Sequence, residues 1–536
     1  MTDNDAMRHD VIVIGAGLAG LYMLHKLRQT GRRAIVIEAG SDVGGTWYWN
    51  RYPGARCDVE SLDYQYTFSD ALQREWTWSE RFARQDEILA YINHVADRFD
   101  LRRDIVFDTR VTRARFVEAT AEWEVETDDG SRHVAPFLIA ATGALSLPQT
   151  PPLPGIEDFK GDVYHTGRWP HDGVDFTARR VAVVGTGSSG IQVIPNIAAQ
   201  AERLYVFQRT PNFSLPARNA PLTEQQVEER RRNFADIARS NKASPSGLYR
   251  PPSDVATQSA LDVPEERRAA DYEKWWNRGG TLLMRTYTDL LINADSNRTA
   301  TEFAQRKIRD MVERPDVADK LTPHYHIGTK RICLDSGYYE TFNRPNVTLV
   351  DVNEDPISTI TGDAIVTAGR TCPVDAIVFA TGYDAMTGPL LAMDIRGRGG
   401  QTMREAWSDG PQTYLGLSIA GFPNLFVVAG PGSPSVLANV ILSIEQHVDW
   451  IADCLDHMRD RGFETIEASP DAQDAWVEHV NEVAQATLYP RTKSWYSGSN
   501  IAGKPEIFMP YVGGLGRYTA YCAGVARDGY AGFVLS

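Results

Sequence analysis

Two glycine-rich turns constrain this chain more than anything else in it. Gly15-x-Gly17-x-x-Gly20 follows the apolar run Val11-Ile-Val-Ile14, and Gly185-x-Gly187-x-x-Gly190 follows Val181-Ala-Val-Val184. After each turn the pattern changes from the continuous apolar run of a buried parallel strand to helical spacing, at 21–30 and 191–200. Another β-branched or aromatic run follows each helix, at 34–37 and 203–207. A lone GxGxxG is a weak signal. Inside a strand–turn–helix–strand unit it predicts a dinucleotide fold: glycine lets the backbone approach a pyrophosphate, and the helix N-terminus offers free N–H groups. A strand ending in Ala-Thr-Gly also occurs twice, at 141–143 and 380–382. The predicted fold class is α/β, with two doubly wound Rossmann-like dinucleotide-binding domains and a helical insertion.

The strands after the two helices end in opposite ways. Glu38 closes the first, where a carboxylate accepts hydrogen bonds from ribose hydroxyls and repels a 2′-phosphate, so the first ligand should be FAD or NAD. Gln208-Arg209-Thr210 stands at the matching place in the second unit, where an arginine can hydrogen-bond a 2′-phosphate and selects NADP. Opposite ribose selectors in one chain imply electron transfer from NADPH to a flavin.

At 536 residues the chain is too long for one ordinary domain. Its 55 basic and 70 acidic residues leave a net charge of -15, which argues against general nucleic-acid or anionic-membrane binding. Cys57, Cys333, Cys372, Cys454 and Cys522 are scattered, with no C-x-x-C. That disfavours a disulfide framework, a structural zinc site and a dithiol–disulfide reductase, and it fits a reducing, cytoplasmic setting. No metal-ligand spacing, HExxH or GxSxG is present, so no metal is expected. The polar 1–10 stretch has no secretory pattern. The uncharged stretches 134–156 and 410–444 are interrupted by proline and glycine, and read as buried strands and loops around an apolar site, not as membrane spans.

Along the chain, 86–99 reads as an amphipathic helix, and 106–117 and 122–127 as strands. Thr223-Glu-Gln-Gln226 and Asp262-Val-Pro-Glu265 resemble capping boxes within a helical insertion. Lys330-Arg331 begin a return to the sheet, and helices follow at 441–461 and 472–487. The expected organisation is an FAD domain over 1–145 and 383–536, and an NADP domain over 146–219 and 324–382 interrupted by the insertion at 220–323.

Between the two glycine turns lies Phe159-x-Gly161-x-x-x-His165-x-x-x-Trp169-Pro170. Flanked by the turns in this order, it resembles the fingerprint of the Baeyer–Villiger monooxygenases. Related flavin monooxygenases that oxygenate nitrogen or sulfur carry a similar motif, usually without the Trp-Pro ending. The resemblance covers nearly the whole chain, including 44–58, 185–209, Lys330-Arg331, 380–384 and 493–505. It implies NADPH- and O2-dependent conversion of a ketone to an ester or lactone through a C4a-peroxyflavin. The partners implied are a small-molecule ketone and O2, and a monomer is compatible with this reading. A heteroatom-oxygenating flavin monooxygenase and a non-catalytic flavin redox sensor are the alternatives.

The resemblance also implies site roles. Gly15, Gly17, Ala19, Gly20 and Glu38 would hold FAD. Thr46, Trp47, Asp58 and Tyr64, with Arg56 and Cys57 in the same loop, would face the flavin. Val111 would meet the adenine, and Val440 would lie near the isoalloxazine. Gly185, Gly187, Ser188, Ser189, Gly190, Ile191, Gln192 and Val193 would bind NADP, with Arg209, Thr210 and Lys330 around its 2′-phosphate and Trp495 on the nicotinamide side. Arg331 would be the catalytic arginine and Asp58 its carboxylate partner. From spacing alone, Arg331 reads as a surface ion-pair residue and Asp58 as a turn cap. His165 reads as a structural residue and Trp169 as an interface anchor. The loop around Ser435, Val436 and Leu437 is similar to the longer version in members that take phenylacetone or steroids, so the expected substrate is a bulky aromatic, polycyclic or steroid-like ketone. Val440 stands where a methionine is expected of the phenylacetone type.

Overall fold

The computed structural model describes residues 6–536. The first five residues of the expected first domain, and of the polar 1–10 stretch, lie outside the described residues. Val11–Ile14 runs in the middle of a five-stranded, fully parallel sheet. Ala34–Ile37 and then Ile105–Val106 lie on one side of it, and Phe137–Ala140 and then Leu425–Val427 on the other. Val11, Ile12 and Val13 have no exposed surface, which is why this strand is apolar at every position and does not alternate. The strand Leu425–Val427 brings the later part of the chain into the sheet that the first glycine turn begins.

Arg180–Val184 occupies the same central place in a second parallel sheet. Arg203–Gln208 and Val347–Asp351 extend it on one side, Ala376–Phe379 and Asp162–His165 on the other. The Phe159-to-Pro170 motif is therefore more than a connection: its 162–165 segment is the edge strand of this sheet. Trp169 then sits 3% exposed against Tyr164 and Phe176, and its backbone N–H reaches Trp49 O in the first unit at 3.4 Å.

A third sheet packs beside the first. It is built on the antiparallel strands Val111–Val117, Glu122–Thr127 and Arg132–Ala135. Here the structure corrects the single strand expected over 106–117. The run breaks at 107–110, where Asp108 has φ 51, and its two pieces join different sheets. The insertion is helical over Glu224–Arg232, Phe234–Ala243, Glu265–Arg278, Ala294–Met311 and Pro315–Leu321. Thr223 and Gln226 form the expected reciprocal capping box. Asp262 does not form one: Pro264 is the N-cap residue and Asp262 ends a preceding 3-10 turn. Lys330 and Arg331 also do not lead straight back to the main sheet. They precede Cys333–Asp335, which pairs with Ser214–Pro216, and the main sheet resumes at Val347–Asp351. The helices Val440–Arg461 and Pro470–Gln485 are present, and Leu515–Arg527 is a further helix packed on the first of these and on Phe234–Ala243. All five cysteines are free and buried. Among the described residues no helix is long and apolar enough to cross a membrane.

Candidate functional site

Both glycine turns have the same construction. Gly15 has φ 102 and Gly185 φ 111, a region closed to most side chains. A Cβ on Gly15 would lie 2.7 Å from Ala141 O, and one on Gly185 would lie 2.4 Å from Ala380 O. Ala141 and Ala380 open the repeated Ala-Thr-Gly segments, so each echo in sequence is the floor beneath one glycine turn. The helices that follow, Leu18–Gln29 and Ser188–Ala198, start at Gly17 and Gly187 with no side-chain cap. Some other helices are capped, by Thr223, Asn293 or Ser469, while Gln85–Arg98 and Glu265–Arg278 likewise have no side-chain cap. First-turn N–H groups without an internal acceptor, ahead of a glycine turn, fit a pyrophosphate at each site.

The strand ends after the two helices differ in charge and burial. Glu38 is 5% exposed, and its two oxygens accept from Ala16 N at 2.6 Å and Gly40 N at 2.7 Å. Burial pushes its carboxyl upward while these two N–H groups oppose the shift. Each oxygen keeps a further lone pair for a ribose hydroxyl. At the second site Arg209 and Thr210 are exposed, and Lys330 lies close enough to Arg209 to feel its charge. Burial, and then that charge, hold the Lys330 ammonium below its ordinary range. Two cations within electrostatic reach of each other, with no ion-paired carboxylate among the described residues, suit a dianionic phosphate.

Several expected contacts take a different form. Gln192 spends its amide on the first unit: Oε1 accepts from Tyr52 Oη at 2.8 Å, and Nε2 donates to Arg56 O at 3.1 Å. It bridges the two halves. Ile191 and Val193 turn their side chains into the core of the second unit. Ser188, Ser189 and Gly187 keep accessible surface. Gly187 has open space where a Cβ would be. Arg56 is held by Glu80 at 2.6 Å and Phe82 O at 2.8 Å, and Cys57 is buried, with its thiol pushed well up by desolvation. Val111 is buried in the core shared with Ile14 and Ile37, beside the end of the strand that carries Glu38.

Between the sheets, Arg331 and Asp58 make a bidentate pair, Nε to Oδ2 at 2.7 Å and Nη2 to Oδ1 at 2.6 Å. The third guanidinium nitrogen, Nη1, donates to Val436 O at 2.8 Å. Asp58 raises the Arg331 guanidinium well above its ordinary value and outweighs desolvation, so Arg331 is a fixed cation. A third of its side chain still reaches open space. The pair thus joins the 44–58 loop, the 330–331 segment and the 435–437 turn, regions about 100 residues or more apart in sequence.

Trp47 and Tyr64 form one unit: the indole N–H donates to Tyr64 Oη at 3.0 Å, and the rings meet edge to face. Thr46 opens the same short helix and is exposed. Val440 is the first residue of Val440–Arg461, behind the N-cap Asn439. Ser435 is wholly buried with φ 40, and its hydroxyl donates to Ala429 O at 3.1 Å. It braces the turn, whose Val436 and Leu437 are half-buried against the cluster of Tyr496 and Phe508. Trp495 packs on Tyr496 at 4.3 Å between ring centres. Tyr496 and Tyr489, absent from the sequence reading, both lie within electrostatic reach of Arg331. No spacing marks them; only the folded 486–497 segment brings them there. His165 is neutral and structural: Nδ1 accepts from Gly167 N at 2.9 Å, Nε2 faces Gln149 O at 3.3 Å, and burial lowers its proton affinity.

Residues 12–245 match the family described as Pyridine nucleotide-disulphide oxidoreductase. The chain is 42% identical to a Baeyer-Villiger monooxygenase of Pseudooceanicola batsensis, over 98% of this chain and 96% of that protein. It is 40% identical to an acetone monooxygenase (methyl acetate-forming) of Gordonia sp., over 98% and 99%. Among solved structures, an oxidized steroid monooxygenase bound to NADP superposes with a TM-score of 0.94 at 52% identity, over 99% of each chain.

Proposed function

The chain belongs to the Baeyer–Villiger monooxygenases, FAD-containing and NADPH-dependent enzymes that oxidise ketones, and we propose that its own substrate is a bulky ketone set against Arg331. The observation that carries the placement is the Arg331 geometry: a guanidinium fixed by Asp58 and Val436 O, part of it still open, between two dinucleotide sheets. Bound NADPH supplies hydride, and bound FAD supplies the reduced flavin that activates dioxygen.

The chain's own residues do the rest. The first glycine turn and Glu38 hold the FAD pyrophosphate and ribose, and the second turn with Arg209, Thr210 and Lys330 holds NADP. Trp47, Tyr64 and the 44–58 loop wall the flavin, and Trp495 lies on the nicotinamide side. The FAD domain comprises 1–145 and 383–536; the NADP domain comprises 146–219 and 324–382, with 220–323 inserted. Arg331 cannot give up its proton at working pH, so it stabilises negative charge developing on the substrate oxygen. Asp58 orients it. Val436 and Leu437 offer apolar surface beside it, where water is excluded from the reacting atoms. The free, buried cysteines favour a reducing, cytoplasmic setting.

The test is product formation. Purified protein with FAD, NADPH and O2 is given phenylacetone, cyclohexanone and progesterone, and products are weighed by mass spectrometry. The expected result is an ester or lactone one oxygen heavier than the ketone, with the bulky substrates favoured. Thioanisole sulfoxide without any ester would overturn the reaction assigned here, and preference for the smallest ketone would overturn the substrate class.

A further inference from the structure

A cleft of about 170 Å³ opens where the insertion meets the first unit, between the end of Glu224–Arg232 and the 62–78 segment. None of the residues assigned above to the dinucleotides or the ketone lines it. Two contacts join its walls: Arg231 Nη2 donates to Thr77 Oγ1 at 2.7 Å, and Arg230 Nη2 meets Asp63 Oδ1 at 2.7 Å. Among the described residues four buried side-chain nitrogens have no hydrogen-bond partner: Trp76 Nε1, His94 Nε2, Arg230 Nε and Arg231 Nε. The one on His94 has Glu75 Oε2 at 3.5 Å. The other three belong to residues that line this cleft, and Arg230 is only 9% exposed. Indole Nε1 and guanidinium Nε are donors only, and a buried donor without an acceptor costs its desolvation. The acceptors at hand are already taken. Asp63 also receives Asn241 Nδ2 at 3.0 Å and Tyr249 N at 3.1 Å, and Gln65 Oε1 accepts from Trp78 Nε1 at 3.0 Å.

Charge and shape say what fits. Arg230 is paired with Asp63, and Arg231 with Glu228 at 3.1 Å. The other two lining arginines, Arg74 and Arg232, have no ion pair among the described residues, against one lining acid, Asp70. The cleft therefore favours an anion. A carboxylate offers about four lone-pair positions, enough for all three donors. Trp78 meets Trp76 edge to face at 5.7 Å between ring centres, and Leu62, Val227 and Phe234 add apolar surface. The space is well below the roughly 300–1,000 Å³ of sites for drug-sized ligands, so the ligand is small. We propose that this cleft binds a small aromatic carboxylate, held by the free N–H groups of Trp76, Arg230 and Arg231 with its ring against Trp78. A ligand there ties the insertion to the first unit, at a place distinct from the ketone's.

The experiment is titration calorimetry on the FAD-loaded protein saturated with NADP+, with benzoate as the probe, benzamide as its neutral counterpart and inorganic phosphate as an anion without a ring. The expected result is one benzoate per chain with a Kd of about 1 mM or tighter. Benzamide and phosphate should bind at least about tenfold more weakly. Arg231→Gln and Trp76→Phe, the second keeping a ring and removing one N–H, should each weaken benzoate about tenfold with FAD content and NADP+ affinity unchanged. Benzoate should also raise the Tm of the wild type by more than that of either variant. No benzoate binding in the wild type at that affinity would overturn the proposal. Benzamide bound as tightly would overturn it by removing the charge, and phosphate bound as tightly by removing the ring. Unchanged benzoate affinity in both variants, or displacement of benzoate by phenylacetone, would overturn it by placing the acid elsewhere. Every readout is binding or stability, so the outcome is independent of the ketone reading.

Discussion

Arg331 uses all of its geometry: two nitrogens face Asp58 and a third faces Val436 O. Removing such a donor beside developing oxyanion charge costs about 2.7–4 kcal/mol of barrier. Arg331→Ala should therefore lower ester formation by roughly 10²–10³ while NADPH still bleaches the flavin absorbance. Arg331→Lys should not rescue it, because one ammonium cannot serve Asp58 in bidentate fashion and also reach Val436 O. Near-normal ester yield in either variant would remove Arg331 from the chemistry. A second residue-scale expectation concerns the cofactor. Arg209→Ala deletes a charge-assisted contact worth about 1.5–3 kcal/mol, so KM for NADPH should rise roughly 10- to 100-fold with KM for NADH little changed. A parallel rise for both cofactors would contradict a 2′-phosphate role. The places of Glu38 and Arg209 could be read from sequence because each directly follows a strand at a fixed offset from a glycine turn. Arg331 was recognisable only by family resemblance, since its partner Asp58 is 273 residues away. Tyr489 and Tyr496 had no signal at all, because only the folded 486–497 segment brings them near Arg331.

At the scale of one element, the second glycine turn separates folding from binding within three residues. A Cβ at Gly185 would press on Ala380 O, and the backbone there has φ 111. Gly187 has φ -79 and open space at the Cβ position. Gly185→Ala should thus destabilise the protein by on the order of 2 kcal/mol or more, seen as a lower Tm and less bound flavin. Gly187→Ala should leave Tm close to wild type and weaken NADP+ binding about tenfold, since its methyl group would occupy the space left for the phosphates. If Gly187→Ala bound NADP+ as tightly as the wild type, the pyrophosphate would not cross that face of the turn. Elements of this kind were legible because strand, turn and helix are contiguous and each has its own periodicity. The failures were at breaks in pattern. Asp108 ended a run of apparent strand residues by taking a left-handed conformation, and Pro264 displaced Asp262 as the start of a helix. Short pairings such as Cys333–Asp335 with Ser214–Pro216 depend on tertiary contact and leave no period to read.

Across the whole molecule, one buried imidazole braces the later chain where it joins the first sheet. His447 has no exposed surface. Its Nδ1 accepts from Ala429 N at 2.9 Å, and Nε2 lies 2.8 Å from Tyr518 Oη. Tyr518 donates its proton to Leu415 O, so it accepts from Nε2–H, and the ring is the neutral tautomer. The contacts join the strand end after Leu425–Val427, the long Val440–Arg461 helix and the Leu515–Arg527 helix. Burial lowers the proton affinity of His447 from 6.5 to about 3, and burial likewise lowers that of His165. The unfolded chain therefore binds a proton that the folded chain refuses. Stability from His447 is fully present above about 6.5 and is lost as pH falls towards about 3. The loss amounts to at most about 1.4 kcal/mol per pH unit from this residue. Tm should fall steadily between those limits, and unfolding near pH 5 should take up protons, measurable by calorimetry in buffers of different ionisation enthalpy. His447→Gln should be less stable at neutral pH, because it strands the Ala429 or Tyr518 partner, yet it should lose less stability on acidification and take up about one proton fewer. Unchanged proton uptake in the variant would show that His447 is already protonated in the folded protein. The direction also bears on function: acid should loosen the C-terminal cover of the first sheet before it reaches Arg331, whose charge does not change over that range.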